Sequence, residues 1–230
     1  MGDIAEKIYS IAVDGPSGAG KSSLAKAIAA ELHILYVDTG AIYRTIGCYA
    51  RRKGVETADT EAVIALLPEV EIGMCYDAQG LQHMLLHGED VTEEIRLPEM
   101  SLYASAVSAI PEVRAFLLEM QRDFARKSSV IMDGRDIGTV VLPRADVKIF
   151  LKADVEVRAR RREIELQERG TPRPYEQVLE EMRQRDYNDT HRSAAPLRAA
   201  EDAVIVDTSD LDFRQSKEKL LEIIREKVGL

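Results

Sequence analysis

The chain has 230 residues, long enough for one sizeable core with smaller appended parts. Its 45% hydrophobic and 31% charged residues suit a soluble globular protein. A net charge of −9, from 31 basic and 40 acidic side chains, argues against a general nucleic-acid binder, which needs an extended basic surface. A local basic cleft for a small phosphate ligand stays open.

Taken from the N-terminus, residues 1–8 are polar and mixed in charge, without the apolar centre of a signal peptide. No apolar run reaches the roughly 18 residues of a membrane span. Residues 8–13 form an apolar, β-branched run that stops at Asp14-Gly15-Pro16, which predicts a buried strand entering a loop. Leu24, Ile28 and Leu32 recur at helical spacing in residues 22–32. Tyr36 and Val37 predict a short second strand before Asp38-Thr39-Gly40, where Thr39 is placed to cap the next helix. Cys48 and Cys75 stand at no metal-ligand spacing and read as reduced, core or part-buried thiols of a cytoplasmic protein.

Residues 70–95 hold short extended pieces separated by Gly-bearing turns, which predicts a small antiparallel insertion. Residues 129–132, 147–151 and 203–206 are further apolar runs of buried-strand type, alternating with helical segments. The fold class is therefore α/β, a parallel sheet with helices on both faces. Gly170, Pro172 and Pro174 interrupt residues 155–192, which predicts a flap of two helices joined by that loop.

Gly15-Pro16-Ser17-Gly18-Ala19-Gly20-Lys21-Ser22 fits the G-x-x-x-x-G-K-[ST] phosphate loop in full, between a predicted strand and a predicted helix. Glycines let the backbone N–H groups face a phosphate, and the helix that follows adds its positive end. Lys21 is placed to reach the β- and γ-phosphates of ATP, and the Ser22 hydroxyl to ligate Mg²⁺. The N-K-x-D element of switch GTPases is absent. Asp133, at the end of the 129–132 run, reads either as the acidic residue near the metal or as a strand cap.

Arginines carry the rest. Arg158, Arg161 and Arg162 stand at i, i+3, i+4, and Arg185, Asp189 and Arg192 at i, i+4, i+7, so each set shares a helix face. Such planar cations suit the charge of a transferring phosphoryl group, although a solvated, salt-bridged face is the alternative. Arg160 reads as solvated. Arg44 and Arg135 sit beyond the carboxyl ends of predicted strands, where ligands bind in open parallel sheets.

Together, residues 15–21, Asp38-Thr39-Gly40-Ala41-Ile42-Tyr43-Arg44, Asp133-Gly134-Arg135-Asp136, residues 86–96 and the run from Arg185 through Asp189 to Arg192 resemble the cytidylate kinase family in its bacterial long form. The resemblance spans residues 8–210. It implies a single kinase domain with its phosphate loop at 15–22, a CMP-binding region at 38–115 enlarged by the insertion at 68–96, and a lid at 155–192. It also implies Mg-dependent transfer from ATP to CMP or dCMP by a cytoplasmic monomer.

By the same resemblance, Ser105, Arg114 and Asp136 read the cytosine edge, and Arg185 and Asp189 hold the ribose. Arg44, Arg135 and Arg192 grip the CMP phosphate, with Thr39, Tyr43 and Asp133 beside them. Ser23 and Arg161 join the ATP site, and the lid arginines Arg158 and Arg162 act in transfer with Lys21, Arg135 and Arg192. A kinase for another nucleoside monophosphate, or a nucleotide-gated regulatory protein, are the rival readings.

Overall fold

The computed structural model describes residues 8–97 and 99–229. The N-terminal stretch read for a signal segment lies outside them, apart from Ile8. Five parallel strands form the central sheet in the order β2-β6-β1-β7-β8: β1 (Ser10–Asp14), β2 (Leu35–Asp38), β6 (Val130–Gly134), β7 (Val147–Lys152) and β8 (Val204–Asp207). The strands are the apolar runs of the sequence, shifted by a residue or so.

Alternation along β1 divides the core. Ile11 and Val13 point to one face, with Ile131 and Ile149, and meet α1 (Lys21–Leu32) and α8 (Phe213–Val228). Ala12 points to the other face, with Val130 and Met132, and meets α2 (Thr39–Arg52), α4 (Met100–Ser108) and α5 (Pro111–Lys127). Burial on both faces explains why these strands read as continuous apolar runs.

Between α2 and α4 lie the short α3 (Thr60–Leu66) and a three-stranded antiparallel sheet, β3 (Ile72–Tyr76), β4 (Gln82–Leu86) and β5 (Glu89–Asp90). This is the expected insertion. The flap is also present, as α6 (Val155–Glu168) and α7 (Tyr175–His191) packed through their own small core of Ala159, Leu166, Val178 and Met182.

Two expectations need correction. Asp38, not Thr39, caps α2: its carboxylate accepts from Ala41 N–H at 2.9 Å, while Thr39 opens the helix and donates to the Asp133 carbonyl at 2.8 Å. Cys75 is exposed, because its β3 side chain turns away from the core, whereas Cys48 is buried. After Asp136 the chain closes into a π-helical turn over Ile137–Val141.

Candidate active site

The carboxyl ends of β1, β2 and β6 open into one cleft of about 850 Å³, bounded by α4 and the α6–α7 flap. Ser17 through Ser23 line one end of it. Gly15 sits behind that wall at φ 148, where a Cβ would stand 2.3 Å from the Leu151 carbonyl oxygen of β7. A side chain there has no room, so glycine is obligatory. Lys21 is buried at the start of α1 and donates to the Pro16 carbonyl at 2.7 Å, which folds it over the loop. Burial, reinforced by the Arg135 guanidinium, pushes the Lys21 ammonium well below its ordinary pKa.

Ser22 Oγ donates to Asp133 Oδ2 at 2.8 Å, and the Tyr36 hydroxyl donates to Asp133 Oδ1 at 2.9 Å. Burial, with the nearby Asp38 carboxylate, raises the Asp133 carboxyl to about 6. A hydroxyl beside a carboxylate, at the exit of a phosphate loop, is the hard-oxygen pair that a small divalent cation takes when phosphates supply its other ligands. No cluster of three or more His, Cys, Asp or Glu side chains able to hold a metal occurs among the described residues. The donor set thus fits Mg²⁺ and not a closed protein cage.

The opposite end is crowded with arginines. Arg44 pairs with Asp38 at 2.7 Å; Arg135 Nε donates to Asp189 Oδ2 at 2.8 Å; Arg185 lies 4.0 Å from the same carboxylate. Burial and the Arg135 charge lower Arg185 to about 10. Burial alone would raise Asp189, but Arg135 and Arg185 overcome it and hold the carboxyl below its usual range.

Deeper in, Asp136 accepts from Arg114 and lies 3.5 Å from Arg192. Ser108 binds both cations: its carbonyl accepts from Arg114 at 3.1 Å and its hydroxyl from Arg192 at 3.1 Å. The Arg114 guanidinium stands 5.6 Å from the Tyr43 ring centroid. Thr39, Ser105 and Tyr43 line the same wall.

Even so, the arginines are under-satisfied. Arg44 Nε, Arg185 Nε and Arg192 Nη2 are buried without a hydrogen-bond acceptor among the described residues. Each of these arginines has a carboxylate within 4.0 Å, yet a buried N–H without a hydrogen-bond acceptor is costly until one meets it.

On the flap, Arg161 and Arg162 face the cleft, Arg161 donating to the Thr208 carbonyl at 2.6 Å and Arg162 pairing with Glu165 at 2.8 Å. Arg158 does not join them. Its guanidinium is buried against the Ser17 carbonyl at 3.0 Å, the Ala153 carbonyl at 2.8 Å and the Asp186 carboxylate at 2.6 Å. Arg160 is exposed, pairs with Glu163 and stacks 3.7 Å from the Tyr175 ring centroid.

Sequence reasoning passed over four supporting residues. Ser108 lies one helical turn beyond Ser105, a spacing that could have pointed to it. Asp186 adjoins Arg185. Tyr36 was read as strand alone. Asp14, at the end of β1, accepts the Ile137 and Gly138 N–H groups at 2.8 Å each, and burial raises its carboxyl to about 7. An acid closing an apolar run just before a phosphate loop was its only signal.

The family model described as cytidylate kinase matches residues 11–226. The chain belongs to the cytidylate kinase family. A cytidylate kinase of Caldicellulosiruptor saccharolyticus is 47% identical over 223 residues, covering 97% of this chain and 98% of the relative. Another from Carboxydothermus hydrogenoformans is 47% identical over 217 residues, with 94% and 97% covered. Among solved structures, an uncharacterized protein from Eubacterium ventriosum aligns with a TM-score of 0.51 at 15% identity, covering 96% of this chain and 99% of that one, a likeness of fold alone. Membership of the cytidylate kinase family agrees with one cleft that has a phosphate-loop sequence at one end and clustered arginines at the other.

Proposed function

We propose that the protein transfers the terminal phosphoryl group of ATP to CMP or dCMP, giving ADP and CDP or dCDP. The observation that carries this reading is that Arg44, Arg185 and Arg192 line the same cleft as the phosphate loop, each with one buried guanidinium nitrogen that has no hydrogen-bond acceptor among the described residues. A phosphate loop alone would serve any nucleotide hydrolase; a second cluster of cations in the same cleft calls for an anionic acceptor.

In this reading Ser17 to Ser23 and Lys21 hold the donor phosphates, with Arg161 and Arg162 above them. Gly15 and Pro16 shape the loop from behind. Arg158 acts by fastening the flap to the Ser17 carbonyl. Arg44, Arg135 and Arg192 hold the acceptor phosphate, and Arg185 with Asp189 the ribose. Cytosine offers an N4 amino donor with N3 and O2 acceptors, which Asp136, Arg114 and Ser105 can match; uracil reverses the donor at that edge and leaves polar groups unpaired.

The attacking oxygen is already anionic, so no general base is needed. Catalysis comes from alignment and charge neutralisation. Mg²⁺, held through Ser22 and Asp133, would neutralise charge on the donor phosphates. Closure of α6–α7 excludes water, which would otherwise consume ATP unproductively.

The chain works as one kinase domain, with core, CMP-binding region 38–115 and lid 155–192, acting as a cytoplasmic monomer on small-molecule substrates. No helix among the described residues is long and apolar enough to cross a membrane.

The test is ADP release with ATP and Mg²⁺ against CMP, dCMP, UMP, AMP and GMP. Turnover confined to CMP and dCMP, abolished by chelation, is expected. Preference for another monophosphate would overturn the cytosine-reading roles of Ser105, Arg114 and Asp136. Silence with all five would favour a regulatory nucleotide binder.

A further inference from the structure

The antiparallel insertion touches the central sheet at its open edge. β2 is the outermost strand, paired on one side only, with β6. Backbone groups of a parallel strand alternate in direction residue by residue. Leu35 N–H donates inward, to the Ser129 carbonyl at 3.0 Å, so Tyr36 and Asp38 turn their N–H and C=O groups outward. An edge of that kind must be covered or solvated.

Two side chains of the insertion cover it. The Tyr76 hydroxyl donates to the Tyr36 carbonyl at 2.8 Å. The Gln82 amide brackets Asp38, accepting from its N–H at 2.7 Å and donating to its carbonyl at 3.3 Å. Tyr76 and Gln82 are directly paired across β3 and β4, just as Tyr36 and Asp38 are successive outward residues of β2. One cross-strand pair thus stands in for a missing sixth strand.

The consequence reaches the cleft through Asp38. Its Oδ1 caps α2 through Ala41 N–H at 2.9 Å, and its Oδ2 holds Arg44 Nη2 at 2.7 Å. The fit is close: a Cβ on Gly40 would lie 3.1 Å from both Arg44 Nη1 and Asp38 Oδ1. Gln82 is itself buried and lines no part of the cleft. The chain of contacts runs Gln82 amide, Asp38 backbone, Asp38 carboxylate, Arg44 guanidinium.

We infer that Gln82 is a positioning residue for the acceptor site: by fixing Asp38 it aims Arg44, so the insertion sets acceptor-phosphate binding from outside the cleft. This rests on the reading of Arg44 as a CMP-phosphate ligand. Tyr76 covers the same edge without touching Asp38, so it supplies the comparison that separates aiming from covering.

The experiment is steady-state kinetics of the wild type, Gln82→Met and Tyr76→Phe, varying CMP and ATP separately, with melting curves alongside. Gln82→Met is expected to raise KM for CMP about five-fold, the scale of one net hydrogen bond, with kcat and the KM for ATP unchanged. Tyr76→Phe is expected to lower the melting temperature and leave all three constants alone. Gln82→Glu keeps the acceptor for Asp38 N–H but loses the donor to its carbonyl. Its second oxygen then faces that carbonyl acceptor to acceptor, so the variant should raise the same KM at least as much, and it carries the test if Gln82→Met does not fold. If the wild type turns over CMP but both Gln82 variants keep its KM, the insertion is an edge cover and this inference is overturned. Absence of CMP turnover in the wild type would instead overturn the kinase reading on which it rests.

Discussion

Asp136 is the sharpest place to strike, because one carboxylate serves two buried cations. Its side chain is 6% exposed, against 10% for Arg114 and 7% for Arg192. Asp136→Asn keeps the shape and removes the charge, leaving both guanidiniums in a poorly solvated wall. Removing one partner of a buried ion pair costs about 3–5 kcal/mol. The Asn carbonyl still accepts one N–H, and the Ser108 and Ala195 oxygens still serve the arginines, so the lower end, about 3 kcal/mol, applies. For a chain of this length that is a fall of roughly 6–12 °C in melting temperature.

The assay is a thermal melt of wild type and variant, each alone, with CMP and with ATP. At a hundred times Kd a ligand adds about 2.7 kcal/mol, or roughly 5–11 °C. CMP should deliver that shift to the wild type and much less to Asp136→Asn, while the ATP shift is the same in both. A variant that melts with the wild type would refute the argument that Asp136 balances buried charge. An undiminished CMP shift would refute its contact with the base.

Lys21→Met should fold as the wild type and lose on the order of 10²–10³ in kcat, since it removes a preorganised cation at the donor phosphates; near-normal turnover would sink that role. Gly15→Ala should melt far below Gly54→Ala, because both have positive φ but only the first meets backbone, at 2.3 Å, whereas nothing lies within 4 Å of Gly54; equal melting temperatures would mean that the steric account is wrong. Asp14 has a folded pKa raised to about 7 from 3.8, so its contribution to stability is full at low pH and is lost as pH rises through 7. Asp14→Asn lacks that titration, and its stability deficit against the wild type should therefore shrink between pH 5 and 8, as followed by melts across that range.

Much of the donor site was legible because its signal is local. The phosphate loop is eight consecutive residues, and Lys21 and Ser22 follow it directly. The arginines that line the cleft were legible through motifs at strand ends, for Arg44 and Arg135, and through helical spacing, for Arg185 and Arg192, and the sheet through apolar runs that burial on both faces imposes. What stayed hidden depends on distant partners or on a choice between neighbours. Asp38 and Thr39 are both good caps, and the one-residue difference was decided by where β2 ends. Arg158 shares a helical face with Arg161 and Arg162, yet a turn nearer the sheet it meets the Ser17 carbonyl and Asp186 instead of the cleft. Nothing in residues 8–14 announces that Asp14 will receive N–H groups more than 120 positions away. Gln82 reads as one polar residue in a strand until its contact with Asp38 is known.

The two bonds to Asp14 also divide labour within the molecule. Its backbone leads straight into the phosphate loop, while its carboxylate grips the turn that follows Arg135 and Asp136. Both loops hang from adjacent strands, β1 and β6, in the most buried part of the sheet. In the proposed function, the gap between the residues that present the donor and those that present the acceptor is therefore set in the static core. Swinging parts can decide when substrates enter and whether water follows them, without having to restore the reaction geometry at every turnover.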